Sequence, residues 1–360
     1  MNEEDPLILF LYNVEHTTAY GDPKEMIALE DTISAATMLI EALRSRGYRV
    51  RPIEVKYSLA KLRQALKPYS PQNNFVFTYI DGFRGTNRGA AKVVRFVESL
   101  GYRHTGCSAD VTSICIDKAL TKRMFVEAGV PTPHFQVFTE PVGEFPYTFP
   151  AIVKPMTDDG SLGISLSSVV TNNTDLLKQV AHVVTDFHQP ALVEEFIIGR
   201  ELAVSAWGNE RIEVLPVAEQ DYAAIENPLS RLLTYEAKWQ PESYYFQNIK
   251  SRCPAPLTPA EHASVVDAAT RAFRTIGVRD YARADMRFRD GIPYVIEINE
   301  VPDLAIDAGF AISARAAGYK YSDIPERIIK LALKREKWTN QSRVFKSVSH
   351  RLQMANASSD

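Results

Sequence analysis

Cysteine is scarce in this chain. Its three copies, Cys107, Cys115 and Cys253, are odd in number and stand at no metal-ligand spacing, which excludes a disulfide framework and a zinc site and suits a reducing compartment. Excess charge is missing too. With 41 Lys plus Arg against 44 Asp plus Glu, the formal charge is −3, and no basic tract occurs to attract nucleic acid or an anionic membrane. No apolar run approaches the roughly 18 residues of a bilayer span. The opening Met-Asn-Glu-Glu-Asp lacks the basic flank of a signal peptide. Repeats and low-complexity blocks are absent. The expectation is a soluble, cytoplasmic protein with no nucleic-acid or membrane partner.

What the chain does have is 360 residues, 45% of them hydrophobic, enough for two or three units that each bury a core. The first hundred residues alternate strand and helix signals. LILFLYNV (7 to 14), YRVRPIEV (48 to 55) and FVFTYI (75 to 80) read as strands. Between the first two, Ile33, Ala36, Ile40 and Leu43 draw one apolar helical stripe that Gly47 stops. A helix from about Asn87 to Leu100 leads to a short strand around Tyr102. Strands separated by helices imply parallel βαβ units.

A helix from about Lys118 to Ala128 follows, and then the signals turn antiparallel: FPAIVKP (149 to 155), SLSSVV (165 to 170), ALVEEFI (191 to 197), ELAVSAWG (201 to 208) and RIEVLPVAE (211 to 219). Thr258-Pro259-Ala260-Glu261 has the chemistry of a capped helix start, with the helix running to about Ile276. Strands at 281 to 288 and 293 to 299 are joined by the hairpin-type turn Arg289-Asp290-Gly291. A last helix, Tyr321 to about Lys334, precedes a polar tail expected to be disordered.

The hairpin carries the strongest chemical pattern. Alternate residues of a strand share a face, so Arg283 and Asp285 point one way, as do Glu297 and Asn299 on the partner strand. Carboxylate and amide oxygens aimed at one surface suit Mg²⁺, with phosphate or water completing the shell. The same pattern also fits an exposed strand face with incidental ion pairs. Lys154 precedes the loop Asp158-Asp159-Gly160-Ser161-Leu162-Gly163, whose backbone N–H groups can turn toward an anion, although an ordinary β-turn has the same composition. Glu194 and Glu201 flank a strand end and a Gly turn, a pattern shared with solvated surface carboxylates.

Taken together and in this order, several segments resemble the D-alanine:D-alanine ligase family of the ATP-grasp superfamily. They are HTGCSADVTSICIDKALTKRMFVEAGVPTP (104 to 133), PAIVKPMTDDGSLGIS (150 to 165), LVEEFIIGRELAV (192 to 204), YEAKW (235 to 239), CPAPLTPAE (253 to 261) and YARADMRF with PYVIEINEVPDL (281 to 304). The resemblance implies α/β and α+β architecture, an ATP-grasp fold with an N-terminal Rossmann-like, pre-ATP-grasp domain. The expected division is 1 to 105 for that domain, 106 to 190 for a small central unit, 191 to 335 for a C-terminal unit with the metal site, and 336 to 360 for the tail.

The resemblance also assigns roles. Lys118 and Lys154 look like the lysines that contact ATP phosphates, with Ser161 in the phosphate loop. Glu194 resembles the adenine-side carboxylate, Phe196 and Ile197 the linker beside the adenine edge, and Glu201 the ribose ligand. Lys238 looks like the lid lysine, Asp285, Glu297 and Asn299 the Mg²⁺ ligands, and Arg283 the group facing the developing oxyanion. The implied cofactors are ATP with Mg²⁺, Mn²⁺ being the alternative. The implied partners are small carboxylates and amines, amino acids above all, and the assembly a homodimer.

The amino-acid half departs from the family. The glycine-rich loop that carries a substrate-binding glutamate is missing from 13 to 31, where Glu30 is the nearest candidate. Asp81 stands for a histidine, Gly160 for a serine that bonds the lid, and Trp239 for the lid tyrosine, so the familiar closing contact is expected to be absent. Asp303 and Ala308 occupy positions where the family has a glycine and a carboxylate-binding serine. The expected function is therefore an ATP-dependent carboxylate–amine ligase working through an acyl phosphate on something other than a D-alanine pair. A true D-alanine:D-alanine ligase and a non-catalytic nucleotide-binding regulator are the alternatives.

Overall fold

A computed structural model describes residues 6–14, 25–83 and 89–335. The first unit is built from β1 (Leu7–Asn13), α1 (Glu25–Ser45), β2 (Val50–Val55), α2 (Leu59–Leu66), β3 (Asn74–Tyr79), α3 (Ala90–Ser99) and β4 (Arg103–His104). Its sheet runs in the order β2-β1-β3-β4 with every pairing parallel. The near-continuous apolar runs of β1 and β3 are those of strands covered on both faces. Leu9, Leu11 and Val76 pack under α2 and α3. On the other face, Phe10, Phe77 and Tyr79 meet α1 and residues from the far end of the chain, among them Phe310 and Ile328.

Next come α4 (Ala109–Ile116) and α5 (Lys118–Glu127), each started by a side-chain cap, Ser108 for the first and Asp117 for the second. The small sheet then forms from β5 (Phe135–Phe138), β6 (Ala151–Pro155), β7 (Val169–Val170) and β8 (Ala191–Glu195), with α6 (Asn173–Asp186) across it. Its order is β5-β8-β6-β7, all antiparallel.

The large sheet uses β9 (Arg200–Gly208), β10 (Ile212–Val214), β11 (Ala218–Asp221), β12 (Lys250–Arg252), β13 (Asp280–Arg289) and β14 (Ile292–Asn299) in the order β12-β11-β9-β13-β14, with β10 on β9. Between β11 and β12 lie the short helices α7 (Tyr235–Trp239) and α8 (Tyr244–Asn248), and α9 (Pro259–Ile276) follows β12. The Thr258–Glu261 capping box and Pro259 in its first turn are both in place at the start of α9. The β13–β14 turn has Asp290 and Gly291 both at positive φ, 53° and 80°, as a tight hairpin turn requires. Two last helices, α10 (Gly309–Ala316) and α11 (Asp323–Lys334), turn back against β9, β13 and α1.

Three expectations change. The boundary at 190 cuts β8 from its sheet, because residues 191–195 hydrogen-bond to both β5 and β6. Helices α4 and α5, placed by sequence in the central unit, pack on the large sheet, where Cys115, Met124 and Phe125 join Phe273 and Met286 in one core. We propose unit boundaries near 105, 134 and 196, with 106–134 belonging to the large-sheet unit. The segment 165–170 is a strand only at Val169–Val170, since Leu166–Ser168 form a 3₁₀ turn closed by Ser165 and Ser168. Helices α2, α4, α6, α7, α8 and α10 were not foreseen. The tail from 336 lies outside the described residues.

Candidate active site

The cleft lies where the small sheet, the hairpin β13–β14 and the ends of β1 and β3 converge. Arg283 pairs with Asn299 and Asp285 with Glu297 across the hairpin. Neighbours Ala282, Ala284 and Met286 are buried on the opposite face, so the strand alternation delivers four polar groups to one surface. Arg283 grips Asp285 through two contacts, 2.6 Å from Nε and 2.8 Å from Nη2, and Asn299 Nδ2 donates to Asp285 at 2.9 Å.

Lys118, at the first turn of α5, reaches Glu297 at 3.2 Å and also contacts Asp159 of the Gly/Ser loop. Burial opposes its charge, but the two carboxylates outweigh that and raise its pKa. Burial would likewise raise Glu297; Lys118, Lys154 and Arg283 instead hold it down at about 2. Four residues along α5, Lys122 is fully buried and sits 2.8 Å from Glu194, while Lys154 on β6 reaches the same carboxylate at 2.9 Å. Burial and the nearby Lys154 push Lys122 down to about 8, against the pull of Glu194. Burial alone would raise Glu194, yet the two ammonium groups keep it below its ordinary value.

Glu194 Oε1 is buried and, apart from its ion pair with Lys122, has no hydrogen-bond donor. An exocyclic amine of a purine supplies such a donor, so the residues present fit a nucleotide. The linker Phe196–Ile197 is buried beside it. The Phe196 N–H is taken by Pro150 O at 2.8 Å, so of the two linker amides that one is already engaged within the protein. Glu201 accepts from Tyr222 at 2.8 Å and pairs with Arg287 at 2.7 Å.

The segment between β11 and β12 closes over this cleft around its own small core of Tyr222, Ile225, Ala237 and Ile249. The lid contact expected to be missing is made by other atoms: Trp239 Nε1 donates to Gly160 O at 3.2 Å, Ser161 Oγ to Leu233 O at 2.7 Å, and Tyr235 N to Ile164 O at 3.1 Å. Ser161 is thus a lid anchor in this state. Gly163 keeps the loop tight, since an added Cβ there would lie 2.8 Å from Phe187 and Pro155. Lys238 on α7 comes within the field of Arg283, Asp285, Glu297 and Asp303, and burial together with Arg283 lowers its pKa.

For a cation, two carboxylates and one amide converge. Among the described residues there is no group of three His, Cys, Asp or Glu arranged to hold a metal. Hard oxygens in that number fit Mg²⁺ when phosphate and water oxygens complete the octahedron.

On the far wall, Glu30 is exposed on α1, and the neighbouring Thr32 donates instead to Asp81 at 3.1 Å. Asp303 and Asp307 approach Asp31 from the loop after β14. Glu300 is buried and pushed up to about 8, by burial first and then by Asp159. Sequence reading missed Lys122, Asp159, Arg287, Asp31 and Glu300. Two of them had a usable signal: Lys122 shares a helix face with Lys118 at four-residue spacing, and Arg287 shares a strand face with Asp285.

Two antiparallel sheets closing over buried lysines and a carboxylate hairpin, beside a parallel α/β unit, define an ATP-grasp ligase, ADP-forming in its chemistry. Residues 124–330 match the family described as D-ala D-ala ligase C-terminus, and the chain belongs to the D-alanine:D-alanine ligase family. Among its relatives, the uncharacterized protein y4sG of Sinorhizobium fredii is 33% identical over 311 residues, covering 83% of this chain and 88% of that one. D-alanine--D-alanine ligase of Thermotoga maritima is 30% identical over 308 residues, with 85% and 94% covered. The crystal structure of D-alanine--D-alanine ligase from Bacillus anthracis complexed with ATP superposes with a TM-score of 0.70 at 21% identity, covering 91% of this chain and 98% of that one. That likeness establishes the fold. No helix among the described residues is long and apolar enough to cross a membrane.

Proposed function

We propose that this ligase joins a carboxylate to an amine that is not D-alanine, through an acyl phosphate. In the first step a substrate carboxylate oxygen attacks the γ-phosphorus of ATP; the new O–P bond forms as the bond to the β-phosphate oxygen breaks, and ADP leaves. The amine nitrogen then adds to the acyl carbon, the C–O bond to phosphate breaks, and the surplus N–H proton departs with inorganic phosphate.

Phosphoryl transfer is chiefly positioning and charge neutralisation. Lys118, Lys154 and Lys238 supply positive charge, and Asp285, Glu297 and Asn299 would hold Mg²⁺, which when bound neutralises phosphate charge. Arg283 sits on a rigid strand, one residue removed from Asp285, where it can meet the oxyanion of the tetrahedral adduct. Glu194 and Ile197 meet the adenine and Glu201 the ribose. Closure by Trp239, Ser161 and Tyr235 keeps water from the acyl phosphate.

The observation that carries the choice of substrate is the far wall. A second D-alanine brings a carboxylate, yet that wall holds Asp31, Asp81, Asp303 and Asp307, and the cap of α10 is Ala308, which has no side-chain hydrogen bond to offer. Arg315 is directed to Ile306 O. An unpaired buried carboxylate costs several kcal/mol. The names of the relatives favour D-alanine in both positions, so ADP release is the discriminating assay. D-alanine alone is expected to give little ADP above background, and pools of other amines with carboxylates to give saturable release; the reverse pattern would restore the D-alanine reading.

A further inference from the structure

Arg287 takes no part in phosphoryl transfer, yet it touches three parts of the molecule at once. It is buried, 7% exposed, and stands opposite Glu201 where β13 pairs with β9. From there Nη1 donates to Gly199 O at 3.3 Å and Nη2 to Arg231 O at 2.6 Å, and the same Nη2 lies 2.7 Å from Glu201 Oε2. The guanidinium also sits 5.1 Å from the ring centre of Phe196 and 5.9 Å from that of Tyr222. Phe196 and Gly199 join the small sheet to the large one, Glu201 lies on the large sheet, and Tyr222 and Arg231 belong to the segment that closes the cleft. A planar guanidinium can serve such a set together, because its donors are fixed in one fork.

The neighbours of Arg231 give the contact its meaning. Leu233 O accepts from Ser161 Oγ at 2.7 Å, and Tyr235 N donates to Ile164 O at 3.1 Å, both partners lying on the Gly/Ser loop of the small-sheet unit. Residues 231 to 235 therefore bridge the two units that enclose the nucleotide, tied to the large sheet by Arg287 and to the other unit by that loop. Arg231 Nε donates to Ile225 O at 2.8 Å, which carries the tie into the core of the closing segment. Lys238 rides on the same segment, three residues beyond Tyr235. At the other end of the contact, Tyr222 and Arg287 both meet Glu201 at Oε2. Oε1 is the oxygen left to accept from a ribose hydroxyl.

We propose that Arg287 is a positioning residue that couples occupation of the nucleoside site to closure of residues 222–250. This deepens the ligase reading and rests on it at one point, the ribose at Glu201. A ribose hydroxyl on Oε1 with the guanidinium on Oε2 fixes the carboxylate from two sides, and the fixed carboxylate holds the guanidinium against Arg231 O. Closure, and with it the approach of Lys238, then follows the nucleoside. By linkage, the closed segment tightens the nucleotide by the factor with which the nucleotide favours closure.

The test is hydrogen exchange and calorimetric titration of the full chain with Mg²⁺ and a non-hydrolysable ATP analogue, beside inorganic triphosphate as the probe that lacks a nucleoside. In the wild type the analogue is expected to slow exchange of amides 228–249 by about 10-fold more than triphosphate does. Arg287→Met keeps the unbranched stem and should bring the analogue's protection down to the level of triphosphate. Its affinity for the analogue should fall by about 10-fold, with triphosphate affinity unchanged. Arg287→Lys keeps a charge for Glu201 but, as a single point, cannot serve both carbonyls and the carboxylate, so it should lose most of the protection as well; it decides alone if Arg287→Met does not fold. A fold staple would lower the melting temperature in these variants and leave the nucleoside-dependent protection intact. That result, or equal protection by analogue and triphosphate in the wild type, overturns the proposal while keeping the nucleotide site. An analogue that does not bind the wild type sinks the ligase reading and the proposal with it.

Discussion

In the nucleotide half of the cleft, Lys118, Lys122 and Lys154 meet Glu297 and Glu194 at 2.8 to 3.2 Å, and Arg283 and Arg287 hold Asp285 and Glu201. On the far wall, Asp303 lies within the field of Asp31 and of Asp81, and among the described residues none of the three makes a contact ion pair with a lysine or arginine. The two halves therefore differ in how charge is settled. One has its charges paired in contact within the protein; the other has carboxylates without contact ion pairs among the described residues. Rigid, pre-neutralised positioning suits a reaction step common to many substrates, and unanswered charge suits selection among them.

The largest expected effect breaks the first half. Glu194→Ala leaves Lys122 and Lys154 buried without a carboxylate, and loss of one partner from a buried pair costs about 3 to 5 kcal/mol. Chemical denaturation measures it. The same carboxylate sets an acid limb: its folded pKa is depressed, so its contribution is fully present above the ordinary 4.5 and lost as pH falls through the lowered value. In Glu194→Gln that part of the acid slope should vanish.

Next in size is chemistry. Glu297→Gln is expected to slow ADP formation by about 100-fold or more, about 2.7 kcal/mol, with the fold intact because the group faces the cleft. Wild-type turnover would remove Glu297 from the metal set; unfolding would make it structural. Lys118→Ala and Lys154→Ala should each weaken nucleotide binding or phosphoryl transfer by about 10-fold, about 1.4 kcal/mol, read as separate changes in kcat and in KM for ATP. Unchanged kinetics in both would contradict their phosphate role. The smallest effect sharpens the contrast: Asp81→Asn should change stability by less than about 0.5 kcal/mol, since among the described residues its charge has no contact ion pair to lose and an amide can keep the Thr32 hydrogen bond. A loss near that of Glu194→Ala would show that the two halves are built alike.

Much of this was legible in the residues. The parallel unit, the α9 capping box and the hairpin with its Asp290-Gly291 turn follow from short-range patterns, and the structure has them where expected. Period-2 alternation was sufficient to bring Arg283, Asp285, Glu297 and Asn299 to one face. What was not legible depends on long-range packing. Helix α5 lies on the large sheet because Met124 and Phe125 find Phe273 there, 148 positions from Phe125 in the chain, and no local pattern encodes that. The closing contact was misjudged because side chains alone were compared, whereas Trp239 and Ser161 bond backbone carbonyls that any sequence provides. Asp81 and Asp303 were singled out as separate departures from the family, but their grouping with Asp31 was not legible because the three come from separate segments that only the fold assembles.

The measurement closest to the central claim is ADP release by the full chain with ATP, Mg²⁺ and D-alanine at millimolar concentration, set beside the same assay with amine and carboxylate pools. Background release with D-alanine and saturable release with another pair is the predicted result. Efficient, saturable synthesis of D-alanyl-D-alanine would contradict it.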